Sequence, residues 1–144
     1  MVSWNEYSKI LEKVYKDIKF KEFDNIIAIG RGGSIIGAYL ASKLGIPTFY
    51  PIFLRHVIKN GKKSIVGISP TVRDQIKSLR GSLLIVDDYL RDGLAMKYVL
   101  DLISKKASVE TLVIYDREGS EFKPDIVGEY IRETEISFPY DILG

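Results

Sequence analysis

The stretch LLIVDDYLRDGLAM, residues 83–96, decides how the rest of the chain is read. Four apolar residues run straight into Asp87-Asp88, a short polar loop follows around Gly93, and an apolar helical pattern begins just beyond it. A continuous apolar run of this length fits a strand buried on both faces. Two adjoining carboxylates at its end are costly unless something cationic or hydroxylated meets them. The plain reading is a pair of surface carboxylates at a strand end. The functional reading is a pair that binds sugar hydroxyls or holds a magnesium ion through water.

Working outward, NIIAIG (25–30) is a second continuous apolar run. It leads into GGSIIGAYLASKLG, which reads as a helix ending at Gly45 with Pro47 just beyond. Near the N-terminus, Ser3 and Glu6 form a capping-box pattern, and Trp4, Tyr7, Leu11, Val14 and Ile18 recur at helical spacing. PTFYPIFLR (47–55) predicts a strand in which Pro51 marks a bulge or an edge. Asn60-Gly61 is a turn signal with basic residues at its tip, and SIVGI reads as the returning strand. SPTVRDQIKSLRG predicts a mobile loop with a short helix, LAMKYVLDLISKK a helix and VETLVIYD a strand. The tail EYIRETEISFPYDILG holds one more strand and an aromatic segment. Strands alternating with helices predict an α/β fold with a mainly parallel, twisted sheet flanked by helices. Ligands of such sheets bind outside the carboxyl ends of the strands, which singles out the loops after Ile29 and Val86.

The chain of 144 residues fits one domain, 1–144, with no repeat or linker. Hydrophobic residues at 46% and charged residues at 28% exclude a disordered chain, and a net charge of +2 selects neither a nucleic acid nor a membrane as partner. With no cysteine, disulfides, thiolate catalysis and Cys-ligated metals are excluded. No apolar run reaches membrane-spanning length and the N-terminus lacks a signal-peptide pattern, so a cytoplasmic protein is expected. Scarce amides with abundant Lys, Arg and Glu point to heat adaptation.

Gly30-Arg31-Gly32-Gly33 lies between a strand and a helix. It reads either as a tight turn or as a cradle of backbone N–H groups for an anion, with Arg31 adding charge. A dinucleotide fingerprint fits less well, because Ile35 falls at its third glycine and no acid ends the next strand. His56 is the one histidine, beside Arg55, and reads as a loop or packing residue.

Together these residues resemble the type I phosphoribosyltransferases, and within them the xanthine-guanine (purine salvage) branch. The likeness runs from SWNEYSKI through IIAIGRGGSIIGAYLASKLGIP and LLIVDDYLRDGLAM to FPYD. It implies transfer of ribose 5-phosphate from phosphoribosyl pyrophosphate to a purine-like base, with release of magnesium-bound pyrophosphate. Carried over by position, Arg31, Gly32 and Gly33 would hold pyrophosphate, and Asp87 and Asp88 would hold the ribose hydroxyls and the Mg2+ shell, the metal through water. The resemblance also implies a mobile loop within residues 55–80, a small C-terminal hood at about 117–144, and a homodimer or homotetramer. The partners it implies are small molecules, namely phosphoribosyl pyrophosphate and a nucleobase or nucleotide, with no nucleic acid and no membrane. The alternative is a non-catalytic relative that binds a nucleotide or a protein partner as a sensor or subunit.

Several positions depart from the family pattern. The loop that cradles the 5-phosphate reads roughly Asp-Thr-Gly-x-Thr in the family, and here it is Arg91, Asp92, Gly93, Leu94 and Ala95. Both threonine hydroxyls are gone, a carboxylate stands in their place, and Arg91 takes the catalytic position of the acid that handles the purine proton. In the base pocket, matched to Tyr115, Glu135, Ile136 and Tyr140, Glu135 replaces the stacking tryptophan and Tyr115 the lysine that recognises the base. Asp92 is expected to be the N-cap of the helix that follows, its carboxylate accepting from the amides that would bind phosphate.

Overall fold

The computed structural model describes residues 1–133 and 135–141, and of His56 and Val66 the backbone alone, so the expectation for the His56 side chain lies outside the described residues. In chain order the elements are α1 (Trp4–Ile18), β1 (Asn25–Ile29), α2 (Gly30–Leu44), β2 (Phe49–Ile52), β3 (Arg55–Lys59), β4 (Lys62–Val66), α3 (Pro70–Ser78), β5 (Gly81–Leu90), α4 (Leu94–Leu102), β6 (Ala107–Arg117) and β7 (Ile126–Ile131). Five strands form one sheet in the order β2-β1-β5-β6-β7. Every neighbouring pair in it is parallel. The chain leaves β1 towards β2 on one side, while β5 pairs on the other, so the strand order reverses between β1 and β5.

The apolar runs behave as their composition demands. Successive side chains of a strand point to opposite faces. Ile26, Ala28, Leu84, Val86, Leu112 and Ile114 accordingly enter a core with Tyr7, Leu11 and Val14 of α1 and Ile36 and Leu40 of α2. Ile27, Ile29, Leu83, Ile85 and Val113 enter a second core with Ile76 of α3 and Met96 and Val99 of α4. Two helices therefore cover each face, and the central strands need apolar residues at every position.

Local signals hold where they rest on hydrogen bonds. Ser3 caps α1 and shares a reciprocal capping box with Glu6, and Gly45 closes α2 in the left-handed conformation. β2 is an edge strand, which accommodates Pro51. Strands β3 and β4 form an antiparallel hairpin, a sheet of its own, turned by Asn60 (φ 53°) and Gly61 (φ 74°). Positive φ at both central residues is the geometry that matches the twist of a two-residue hairpin.

Five expectations are corrected or sharpened. The glycine-rich run after β1 is the first turn of α2, not a separate loop. Strand β5 does not end at the acidic pair but continues to Leu90, because its ladder with β6 persists to Leu90 opposite Asp116. Residues 70–78 form the regular helix α3, capped by the Ser69 side chain. Trp4 is more than half exposed, at 56%, so the buried stripe of α1 is Tyr7, Ile10, Leu11, Val14 and Ile18. Within 117–144, the region expected as a hood, β7 belongs to the main sheet, and residues 142–144 lie outside the described ones.

α1 docks across β7, where Lys13 Nζ donates to the Gly128 carbonyl. A Cβ at Gly128 would stand 2.5 Å from the Ile114 carbonyl oxygen and 2.6 Å from Ile10 Cγ2. Neither neighbour can yield without moving backbone or α1. Gly128→Val is expected to destabilise the fold by about 1–3 kcal/mol, read from the urea unfolding midpoint.

Candidate active site

A cleft of about 330 Å³ opens where β1 and β5 part. Its lining includes Gly30, Arg31 and Gly32 from α2, Asp87 to Leu90 from β5, and Arg91, Asp92, Gly93 and Ala95 from the following loop and helix. Lys63 of the hairpin and Tyr140 and Asp141 of the tail complete it. The structure thus brings together most of the sequence-identified residues, from two strand ends more than fifty positions apart.

Close packing places them. A Cβ at Gly32 would overlap the Asp88 carboxylate and stand 2.8 Å from the Tyr140 hydroxyl. At Gly33 it would stand 2.8 Å from the Val86 carbonyl oxygen. Glycine is needed here for backbone approach, and it brings the first turn of α2 against the acidic pair. That turn has no side-chain cap, so its N–H groups and the positive end of the helix face the cleft.

The two carboxylates are held differently. Asp87 is buried, and its Oδ1 accepts from the Asp88 amide at 2.8 Å. Burial, reinforced by the Asp88 charge, pushes its carboxyl well above the usual aspartate range. Asp88 Oδ2 accepts from the Tyr140 hydroxyl at 2.7 Å. Tyr140 is fixed in turn by its stack on Phe138 (5.2 Å, 6°) and by edge contact with Tyr7 at 5.5 Å. The turn carrying it is closed by Asp141, whose Oδ2 accepts from the Phe138 amide at 2.7 Å. Burial and the Asp88 charge raise the Tyr140 phenol, so it stays protonated and donating at any physiological pH.

The loop after β5 differs from the expected cap. Gly93, in the left-handed conformation, is the N-cap of α4 and brings no side chain to it. Asp92 stands one residue earlier, yet its Oδ1 still accepts from the Leu94 amide at 3.0 Å. Its Oδ2 pairs with Lys63 Nζ at 2.9 Å. Arg91 is exposed on the rim.

The residues expected around a base do not converge on one cavity. Tyr140 lines the main cleft, whereas Tyr115, Glu135 and Ile136 line a second hollow of about 430 Å³ beside Val2 and Ile10. Tyr115 is only 5% exposed and packs on Phe138 at 5.8 Å; burial pushes its phenol up to about 12. Sequence reading missed Lys63, whose signal was the basic hairpin tip, and the contact of the Tyr140 hydroxyl with Asp88.

A parallel sheet with an acidic pair and an uncapped helix start at its reversal point is the layout of an α/β protein that takes a polar ligand at its strand ends. The chain belongs to the phosphoribosyl transferase domain family, whose model matches residues 3–141. The fold is shared with a purine phosphoribosyltransferase from Pyrococcus horikoshii, at 21% identity and TM-score 0.80, over 99% of this chain and 94% of that one. A hypothetical protein from Neisseria gonorrhoeae with bound ppGpp is similar at 21% identity and TM-score 0.74, over 99% and 88%. The xanthine-guanine-hypoxanthine phosphoribosyltransferase of Helicobacter pylori follows at 18% and 0.65, over 87% and 82%. Among curated proteins none matches the sequence significantly. No helix among the described residues is long and apolar enough to cross a membrane.

Two expected outcomes test this geometry. Gly32→Ala should displace Asp88 and remove ligand binding at the cleft while the protein stays folded, read by titration calorimetry and circular dichroism. For Asp87, the raised pKa means that the folded state holds the proton more tightly than the unfolded state. Its ionisation therefore costs stability, which is highest below the ordinary value of 3.8 and falls as pH rises through the folded value. Asp87→Asn should gain stability relative to the wild type as pH rises, seen in paired urea midpoints from about pH 4 to about pH 8.

Proposed function

We propose that the protein transfers the phosphoribosyl group of phosphoribosyl pyrophosphate to a purine-like base and releases pyrophosphate. The observation that carries this reading is the family match along residues 3–141, with the acidic pair and the α2 start facing one cleft. In the reaction the bond from the anomeric carbon to pyrophosphate breaks and a bond to a base nitrogen forms. Positive charge grows at that carbon between the two events.

Each part of the cleft has a role in this reading. The first-turn amides of α2 at Gly32 and Gly33, with the Arg31 guanidinium, hold the departing pyrophosphate. Asp88 accepts from ribose hydroxyls, and Tyr140 fixes the carboxylate so that no reorganisation is needed as charge develops. Asp87 sits behind it, and the loop 91–95 faces the 5-phosphate through the amides at the start of α4. Tyr140 offers the aromatic wall nearest the acidic pair, which makes it the better candidate of the expected base-pocket residues.

Among the described residues no group of three or more acidic or histidine side chains converges. The donor set still fits Mg2+, which is commonly held by one or two carboxylates with waters and substrate phosphates. Asp87 and Asp88 are the residues that would hold it, and it would supply charge neutralisation of the pyrophosphate. A homodimer or homotetramer belongs to this reading through the resemblance, and a cytoplasmic setting through the apolar pattern of the sequence.

Incubation with phosphoribosyl pyrophosphate, magnesium and a panel of purines should release pyrophosphate, measured by a coupled enzymatic assay. Asp88→Asn should lower kcat/KM by about 100-fold, the scale of losing one preorganised electrostatic group. Binding with thermal stabilisation but no pyrophosphate from any base would favour the non-catalytic alternative instead.

A further inference from the structure

The loop between β5 and α4 is engaged by the protein's own charge. Asp92 Oδ1 accepts from the Leu94 amide at 3.0 Å, and Oδ2 pairs with Lys63 Nζ at 2.9 Å. Lys63 belongs to the β3–β4 hairpin, so this pair joins two separate elements across the mouth of the cleft. Both side chains are close to half exposed, at 45% and 40%. Exposed ion pairs exchange partners at small cost.

A phosphate group asks for the same donors. It carries about two negative charges and three acceptor oxygens, and the start of a helix is where backbone amides best receive it. The first turn of α4 holds no acidic residue and Gly93 supplies no cap, so the Asp92 carboxylate is the anion that the side chains bring to this helix start. A ligand phosphate and this carboxylate repel each other at such range, and only one of them can take the Leu94 amide. Lys63 stands between the two claims.

We propose that Asp92 is an internal competitor for the phosphate end of the substrate, and that Lys63 passes from Asp92 to that phosphate when the ligand binds. The inference rests on the phosphoribosyl-transfer reading and adds two specificity-determining residues to it. Asp92 lowers affinity at the 5-phosphate end alone. Recognition of phosphoribosyl pyrophosphate then leans on its pyrophosphate end, and the nucleoside monophosphate product, which has lost that end, is released readily.

The test uses ribose 5-phosphate and, separately, pyrophosphate as calorimetric probes of the full chain. The variants are Asp92→Asn, Lys63→Met and the double variant, each checked for an unchanged thermal midpoint. Asp92→Asn keeps an acceptor oxygen for the loop and removes only the charge. It should bind ribose 5-phosphate on the order of tenfold tighter, with pyrophosphate affinity unchanged. Lys63→Met placed on Asp92→Asn should then weaken ribose 5-phosphate binding several-fold. If wild type binds ribose 5-phosphate and Asp92→Asn binds it no better, the competitor role is overturned. If Lys63→Met is silent on the Asp92→Asn background, Lys63 serves only Asp92, and its transfer to phosphate is overturned. Should no variant bind ribose 5-phosphate while none releases pyrophosphate from phosphoribosyl pyrophosphate, the transfer reading falls and this inference falls with it.

Discussion

Strand β5 has two neighbours of unequal reach. Its ladder with β1 stops at Val86, where the chain turns into α2, while its ladder with β6 runs on to Leu90. Four residues of β5 therefore project past β1 with one side supported and the other open. Everything at the cleft follows from that overhang. It gives Asp87 and Asp88 a rigid backbone, leaves space beside them, and lets the α2 start occupy the near wall. A β1 longer by two residues would close the space, and a β6 that stopped at Leu112, opposite Val86, would leave the carboxylates on a frayed end.

The cost of placing two carboxylates on one strand end is met unequally. Asp88 is compensated by the Tyr140 hydroxyl, itself anchored by an aromatic cluster from the tail and α1. Asp87 meets its own neighbour, accepting from the Asp88 amide, and burial keeps its proton affinity high. The pair is thus arranged to share charge with a cation or to keep a proton, which is the condition a site for a polyanionic, metal-carrying ligand requires.

Much of this architecture was legible in the residues. The unbroken apolar runs 26–29 and 83–86 feed opposite cores by simple alternation, so a parallel sheet covered on both faces follows from composition. Ser3 with Glu6 and Asn60 with Gly61 announce a helix start and a hairpin, because both depend on contacts within a few residues. The glycine run 30–33 was harder, since glycine serves equally for a turn and for close approach within a helix. Only the position of Asp88 against Gly32 separates the two. The Asp92–Lys63 pair spans 29 positions and Tyr140–Asp88 spans 52. No local pattern encodes such contacts, and they decide the chemistry of the cleft.

The β3–β4 hairpin shares no strand ladder with the five-stranded sheet. Its amides are bonded mainly to one another, and two-stranded units are marginal by themselves. Its opening therefore breaks no ladder of the central sheet. An opening of the hairpin would uncover the cleft mouth, where Lys63 stands, and leave both cores intact. A turn sequence and one ion pair at the cleft mouth would then bear on how the acidic residues are reached.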